Sequence, residues 1–330
     1  MTRPHHLQRR GLLAAGAALV ALPLARPALA QAAWPNGRAI EIIVGFAPGG
    51  GTDVMLRALG QALSAELPGA NFVISNKPGA GGETSYVAMQ TARPDGYTIG
   101  SINTPGYLSI PVERRVRYDR TKIRAIARLV DDPTAFVVHR DSPIRSLAYL
   151  VAEAKRRPGA LSVGTSGVGT DDHLALTLFQ AATGTEFIHT PYAGAGQVKN
   201  AILAKHIDVA GLNLGEIGML GQDQPALRPL AGMGPKRWAL MPDVPTFQEL
   251  GYDVLMTSER GIGAPRAMPD EMALQLQEAI ARVIAKPDWA EKARQLELPM
   301  AYLPGAEWEA QMPAQEARYR QIWEKTPWQQ

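Results

Sequence analysis

Residues 40–63, IEIIVGFAPGGGTDVMLRALGQAL, constrain the fold more than any other stretch of this chain. Ile40, Ile42, Ile43 and Val44 make an apolar, β-branched run of strand character. The run ends in Phe46-Ala47-Pro48-Gly49-Gly50-Gly51-Thr52-Asp53, and an amphipathic pattern follows at once. The spacing therefore predicts a strand, a glycine loop and a helix N-terminus. Consecutive glycines let the backbone approach a ligand closely, because no Cβ intervenes. The first turn of a helix carries unpaired N–H groups at the positive end of its dipole, which attracts anions. The loop has no lysine, so it departs from the G-x-x-x-x-G-K-[ST] nucleotide loop, and Lys77-Pro78-Gly79-Ala80-Gly81-Gly82 departs from G-x-G-x-x-G. On these residues alone, the loop is either a seat for a small anion or a tight strand-to-helix turn.

Residues 1–30 read as a secretory leader. Arg9-Arg10 precede an almost wholly apolar run over residues 11–24, and Ala28-Leu29-Ala30 is an A-x-A cleavage signature. Pro23 and Arg26 make the run too short to span a bilayer. Gln8-Arg9-Arg10-Gly11-Leu12-Leu13 loosely matches a twin-arginine signal, so export by the twin-arginine or the general secretory route is expected, to the periplasm. The leader holds Arg3, Arg9, Arg10 and Arg26 and no acid. Removing those four of the 34 basic residues leaves 30, against 31 acidic ones. The formal charge of +3 thus disappears with the leader, and with it the argument for a nucleic-acid or anionic-membrane partner. The chain has no cysteine, which excludes disulfides, zinc–thiolate sites and thiol catalysis. Residues 31–330 suit two domains of typical size or one large domain.

Strand-like and helix-like segments alternate along those residues. Strands are expected at 71–75, 97–102, 161–164, 187–190 and 207–212, and helices at 83–92, 171–182 and 197–204. Small-residue loops at 77–82, 165–170 and 191–196 stand at strand ends, where open α/β sheets bind ligands. The alternation implies a mostly parallel sheet in two α/β halves. Apolar runs at 135–139 and 252–257 are read as the strands crossing between them, with helices at 270–285 and 305–323 packing back on the first half. The expected architecture is a two-lobed α/β fold: lobe 1 from 31–134 plus 257–330, lobe 2 from 135–256, and two crossing strands as a hinge for closure around a ligand.

FAPGGGTD, NKPGAGG, GTSGVGTDDHLA, HTPYAGAG and PDVPTFQELGY, in that order, resemble the extracytoplasmic solute receptors of tripartite tricarboxylate transporters, also called the Bug family. The resemblance runs over about the whole chain after the leader. It implies a Venus-flytrap periplasmic binding protein for small carboxylates, dicarboxylates or aromatic acids, held largely by backbone N–H groups and bridging waters. No cofactor or metal is implied. The partners implied are a small anionic solute and the small and large membrane subunits of a carrier. Carried over residue by residue, the ligand contacts are Phe46, Ala47, Gly49, Thr52 and Asp53 in the first loop, Gly81 and Gly82 in the second, and Thr104 after the following strand. The second lobe adds Ser166, Thr170, His173, Tyr192, Ala193 and Asn213. In Ser258-Glu259-Arg260-Gly261, Arg260 stands where many relatives have an aromatic stretch; facing the cleft it would favour a second carboxylate on the ligand, and otherwise it is solvated or paired near Glu259. Lys205-His206 replaces the usual glycine-glutamine before Asp208.

Several residues support competing readings. Asp53 at a helix start is better suited to ordering the loop than to touching an anion, which it would repel. Gly164-Thr165-Ser166-Gly167-Val168 lacks the second glycine of G-x-S-x-G, so a periplasmic hydrolase is a minor alternative and no enzyme activity is expected. Asp171, Asp172, His173 and His189 lack metal-ligand spacing, and the aspartates suit a first helical turn. His173 is expected to face the loop and donate to Ser166 or the ligand. Tyr192 suits either a pocket wall or the core. If backbone donors dominate, ligand affinity should be insensitive to pH near neutrality. A ligand sensor that signals to a membrane kinase is the second functional class.

Overall fold

The computed structural model describes residues 1–2, 34–218 and 225–328. The leader, apart from its first two residues, lies outside them. The compact unit that begins at Trp34 opens as the sequence predicts. Strand β1 (Ala39–Val44) runs into helix α1 (Gly51–Glu66) through the glycine loop. Strand β2 (Asn71–Asn76), helix α2 (Glu83–Thr91) and strand β3 (Thr98–Thr104) follow. The loop before α2 holds a single 3-10 turn, Ala80–Gly82. Helix α3 (Gly106–Glu113) leads to β4 (Ile123–His139), a continuous strand of 17 residues.

The second half repeats the pattern with α4 (Leu147–Arg156), β5 (Ser162–Thr165), α5 (Asp171–Thr183), β6 (Ile188–Pro191), α6 (Ala195–Leu203) and β7 (Val209–Asn213). Strand β8 (Leu227–Gly232) precedes β9 (Thr257–Pro265), and α7 (Asp270–Ile284), α8 (Pro287–Gln295), β10 (Met300–Pro304) and α9 (Gly305–Lys325) complete the chain.

The strands order as β2-β1-β3-β9-β4-β7-β5-β6, with β8 and β10 pairing to β4 beside this path. The expectation of a mostly parallel sheet needs correction. Parallel pairing holds for β1, β2 and β3 and for β5, β6 and β7, but every contact of β4 and β9 is antiparallel. Two parallel βαβ sets are thus joined through an antiparallel centre. One end of β4 pairs with β9 and β10, and the other, from Thr134 on, with β7 and β8.

The second crossing is also corrected. Residues 252–256 form no strand, and the strand begins at Thr257. Val254 and Met256 are buried, so the alternation seen in the sequence reports burial without a ladder. At the crossing, Thr134 N–H donates to the Met256 carbonyl (3.1 Å), Met256 N–H to that of Met233 (2.9 Å), and Met233 N–H to that of Thr134 (2.6 Å).

Side-chain alternation along β4 divides the core. Phe136 and Val138 pack in one cluster with Leu174 and Phe179 of α5, while Ala135 and Val137 pack in another with Val198 and Ile202 of α6. In the first half, Ile40, Ile42 and Val44 join Leu56 and Leu59 of α1 and Leu276 and Ile280 of α7. The opposite face holds Tyr86 of α2, Leu108 of α3 and Trp308 of α9. Each parallel sheet therefore lies between helical layers, and its strand carboxyl ends carry the small-residue loops.

Candidate functional site

Two helix N-termini converge on one cavity. The first turn of α1 contributes Gly51 and Thr52, with Gly50 just before it, and the start of α5 contributes Thr170 and Asp171. Phe46, Asn103, Thr104, Ser166, Asn213, Ser258 and Arg260 complete much of the lining of this narrow cavity, whose volume is about 30 Å³. Among the described residues, the first-turn amides of Thr52 and Asp53 have no backbone partner, as the start of a helix dictates. Neither α1 nor α5 has a side-chain cap on its N-cap residue. Phe46 and Ser166 also border a second, wider cavity of about 620 Å³ lined by Gly81, Gly82, Val168, His189, Tyr192 and Ala193.

The two halves touch through backbone and side chains. Ala47 N–H donates to the Ala193 carbonyl across the cleft (3.0 Å). Gly196 lies so close to the first loop that a Cβ there would stand 2.7 Å from the Pro48 carbonyl oxygen and 3.2 Å from Gly50 N. The Ser109 hydroxyl donates to the Gly169 carbonyl (2.5 Å).

The predicted site residues sort into three groups. Phe46, Thr52, Thr104, Ser166, Thr170, Asn213 and Arg260 line the smaller cavity, and Gly81, Gly82, Tyr192 and Ala193 the wider one, with Phe46 and Ser166 shared. Ala47, Gly49, Asp53 and His173 line neither. Ala47 clasps the opposite loop, and Gly49 N–H donates to Asp53 Oδ2 (3.0 Å). Asp53 also accepts from Arg57 Nε (2.9 Å) and Asn76 Nδ2 (2.9 Å), whose other proton goes to the Phe46 carbonyl (3.0 Å). The carboxylate is thus turned away from the cavity and ties the glycine loop to α1 and β2. Burial alone would raise its pKa, but the bonds from Arg57, Gly49 and Asn76 hold it below the ordinary aspartate value.

The position of His173 corrects the expectation that it donates to Ser166 or the ligand. Its Nδ1 accepts the Gly169 N–H (3.0 Å), and its ring stacks on His189 with centroids 4.1 Å apart. Burial, with the nearby His189, pushes His173 down to about 3, and burial pushes His189 to about 4. Ser166 is engaged by Asp172, which accepts from Ser166 N–H (2.6 Å), Ser166 Oγ (3.1 Å), His173 N–H (3.0 Å) and the Thr170 hydroxyl. The aspartates do sit in the first turn of α5, as read from the sequence, and both are buried.

Arg260 faces the cavity from β9, but its charge is already answered. Nη1 lies 3.2 Å from Asp132 Oδ2 and Nη2 3.0 Å from Glu216 Oε1, and Nη2 donates to Asn213 Oδ1 (2.5 Å). The guanidinium is only 2% exposed. It is neither solvated nor paired with Glu259, whose carboxylate binds Arg128, Thr104 Oγ1 (3.1 Å) and Trp308 Nε1 (2.9 Å). Sequence reasoning missed Gly51, Asn103, Asp132, Glu216 and Ser258. Asn213 and Glu216 have the spacing of a capping box, which marks a local turn, but Glu216 reaches Gly51 only through the fold.

A two-lobed α/β molecule with cavities between strand-end loops and paired helix N-termini has the form of a periplasmic binding protein. The comparisons agree. The tripartite tricarboxylate transporter family receptor profile matches residues 55–325, and the chain belongs to that family. It is 33% identical over 306 residues to the UPF0065 protein in gbd 5'region of Cupriavidus necator, covering 92% of this chain and 91% of that one. Among solved structures, the periplasmic binding protein BugD superposes with a TM-score of 0.81 at 25% identity, over 87% of this chain and 97% of that one. An R. palustris protein solved with adipate gives 0.82 at 27% identity, over 88% and 97%.

Proposed function

We propose that this chain is a periplasmic receptor that captures a small carboxylate by cleft closure and delivers it to the small and large membrane subunits of a tripartite carrier. The observation that carries the reading is the convergence of the α1 and α5 N-termini on one cavity, where the free Thr52 and Asp53 amides and the dipole of α1 favour an anion without a dedicated cation. Lobe 1 is taken as residues 31–134 plus 257–330 and lobe 2 as residues 135–256, with β4 and the 252–256 segment bending between them. The carboxylate docks on the first-lobe loop, and Ser166 and Thr170 complete the cage from the second. The mechanism is binding without chemistry. The relative solved with adipate supports a carboxylate of a few carbons as the ligand class.

A thermal-shift screen of mono-, di- and tricarboxylates, aromatic acids and amino acids tests this. A ligand at a hundredfold excess over its Kd should stabilise the folded state by about 3 kcal/mol. Absence of any shift across the panel overturns the reading, as does conversion of a bound acid to product.

A further inference from the structure

Glu216 bridges the two halves of the molecule with a carboxylate of the protein's own. Its Oε1 accepts the N–H of Gly51 (3.0 Å), the first residue of α1, and lies 3.0 Å from Arg260 Nη2. Gly51 follows β1, whereas Glu216 follows β7 of the other parallel set, 165 positions along the chain. The approach is close. A Cβ at Gly51 would stand 2.7 Å from Glu216 Oε1 and would overlap Arg260 Nη1, so the contact needs glycine at the head of the helix. A carboxylate on a first-turn amide is also favoured by the helix dipole.

The turn that carries Glu216 is anchored independently of this contact. Its Oε2 accepts the Asn213 N–H (3.1 Å), and its carbonyl accepts from Lys199 Nζ of α6 (3.1 Å). The neighbouring Gly215 N–H donates to Asp132 Oδ1 (3.0 Å), whose Oδ2 lies 3.2 Å from Arg260 Nη1. Oε1 is left to reach across, and both Glu216 and Arg260 are buried in doing so. The cavity that remains beside them measures about 30 Å³, about the share of one water molecule in the liquid. With Glu216 in this place, a carboxylate solute has no room at the inner end.

We propose that Glu216 is a tethered anion that holds the start of α1 and draws a share of the ligand-free molecules shut. A solute can enter only when Glu216 has withdrawn. The proposal rests on the receptor reading above only for what displaces Glu216; the latch itself is a contact between two parts of this chain. Arg260 accordingly serves the latch and does not await a second ligand carboxylate. Because only unlatched molecules can load, apparent affinity falls in proportion to the fraction that is latched.

Glu216→Ala removes Cγ and the carboxyl group, which together have the heavy atoms of acetate, so free acetate can take the vacated place. The test is small-angle scattering and thermal unfolding of the ligand-free protein, with sodium acetate as the probe and sodium chloride of equal ionic strength as its control. Glu216→Ala should have a larger radius of gyration than wild type. Acetate at about 0.1–0.2 M should contract the variant toward the wild-type value and raise its unfolding midpoint by about 2 °C or more, while leaving wild type unmoved. Glu216→Gln fills the same space without the charge, so it should be expanded and respond less to acetate. If the alanine variant fails to fold, the radius of gyration of the glutamine variant decides. Equal radii for ligand-free wild type and the variants overturn the latch, as does an acetate effect of the same size on wild type. Expansion that acetate does not reverse gives Glu216 a structural part in its turn and overturns the tethered-anion assignment. None of these results touches the receptor reading, which the carboxylate screen decides.

Discussion

His173 lies flat against His189, with ring planes 7° apart and centroids separated by 4.1 Å. Two protonated imidazoles at that distance would repel, and the Gly169 N–H pointing at His173 Nδ1 holds that nitrogen as an acceptor. Both rings are therefore neutral at physiological pH. Their folded pKa values, about 3 and about 4, lie below the ordinary 6.5, so the unfolded chain binds more protons between those limits. This contribution to stability is complete above pH 6.5 and is lost as pH falls toward 4 and then 3. Urea denaturation at pH 7 and pH 5 should show the advantage of wild type over His189→Gln shrinking at the lower pH, on the order of 1 kcal/mol given partial solvent access. Imidazole NMR signals that titrate near 6.5 in the folded protein would contradict this account.

Gly196 offers a test of closure. It stands in the first turn of α6, where alanine is a better helix former, yet a Cβ would stand 2.7 Å from the Pro48 carbonyl oxygen, a collision that opening of the cleft would relieve. Gly196→Ala should leave thermal stability without ligand unchanged or slightly raised, while weakening ligand binding by about tenfold or more. Small-angle scattering should show that the variant fails to contract when ligand is added.

Asp53 is expected to matter through the loop it orders. Asp53→Ala leaves Gly49 N–H and Asn76 without their acceptor and should cost about 2 kcal/mol in chemical denaturation, with Asp53→Asn costing less. Its folded pKa is lowered, so its contribution is present above the unfolded aspartate value and is lost as pH falls below it, through the lowered one. Equal stability of wild type and the alanine variant at pH 6 would remove the loop-ordering role.

Lys205 adopts φ of 59° at an exposed turn. A left-handed backbone is costly for a residue with a Cβ and cheap for glycine, and its ion pair with exposed Asp141 adds little. Lys205→Gly should raise stability by about 0.5–1 kcal/mol in equilibrium unfolding; a loss of that size would mean the Asp141 pair outweighs the backbone strain.

Local chemistry explains which parts of the molecule were legible in the sequence. The units from β1 to β3 and from β5 to β7 announce themselves because β-branched runs, glycine loops and helical periods follow one another within a few residues. β9 was hidden for a physical reason. Ser258-Glu259-Arg260-Gly261-Ile262-Gly263 has poor strand propensity, yet it runs between β3 and β4, where a side chain at Gly261 would meet Trp308 and the backbone of Arg128. Its small residues answer a packing demand that only the assembled sheet imposes. The same holds at the site. Glycine loops and hydroxyls could be read locally, whereas the fate of Arg260 depended on Asp132 and Glu216, which are distant in sequence.

The Ala47–Ala193 clasp and the Gly196 contact involve backbone alone, with no side-chain functional group. The rim of the cleft is thereby held by atoms that nearly every residue carries, whereas the inner contacts through Glu216 and Arg260 depend on side chains. Substitutions of other lining side chains can change what the cavity holds while that rim contact stays in place. The rim contact and the lining are therefore separable, and each can accept substitution without the other.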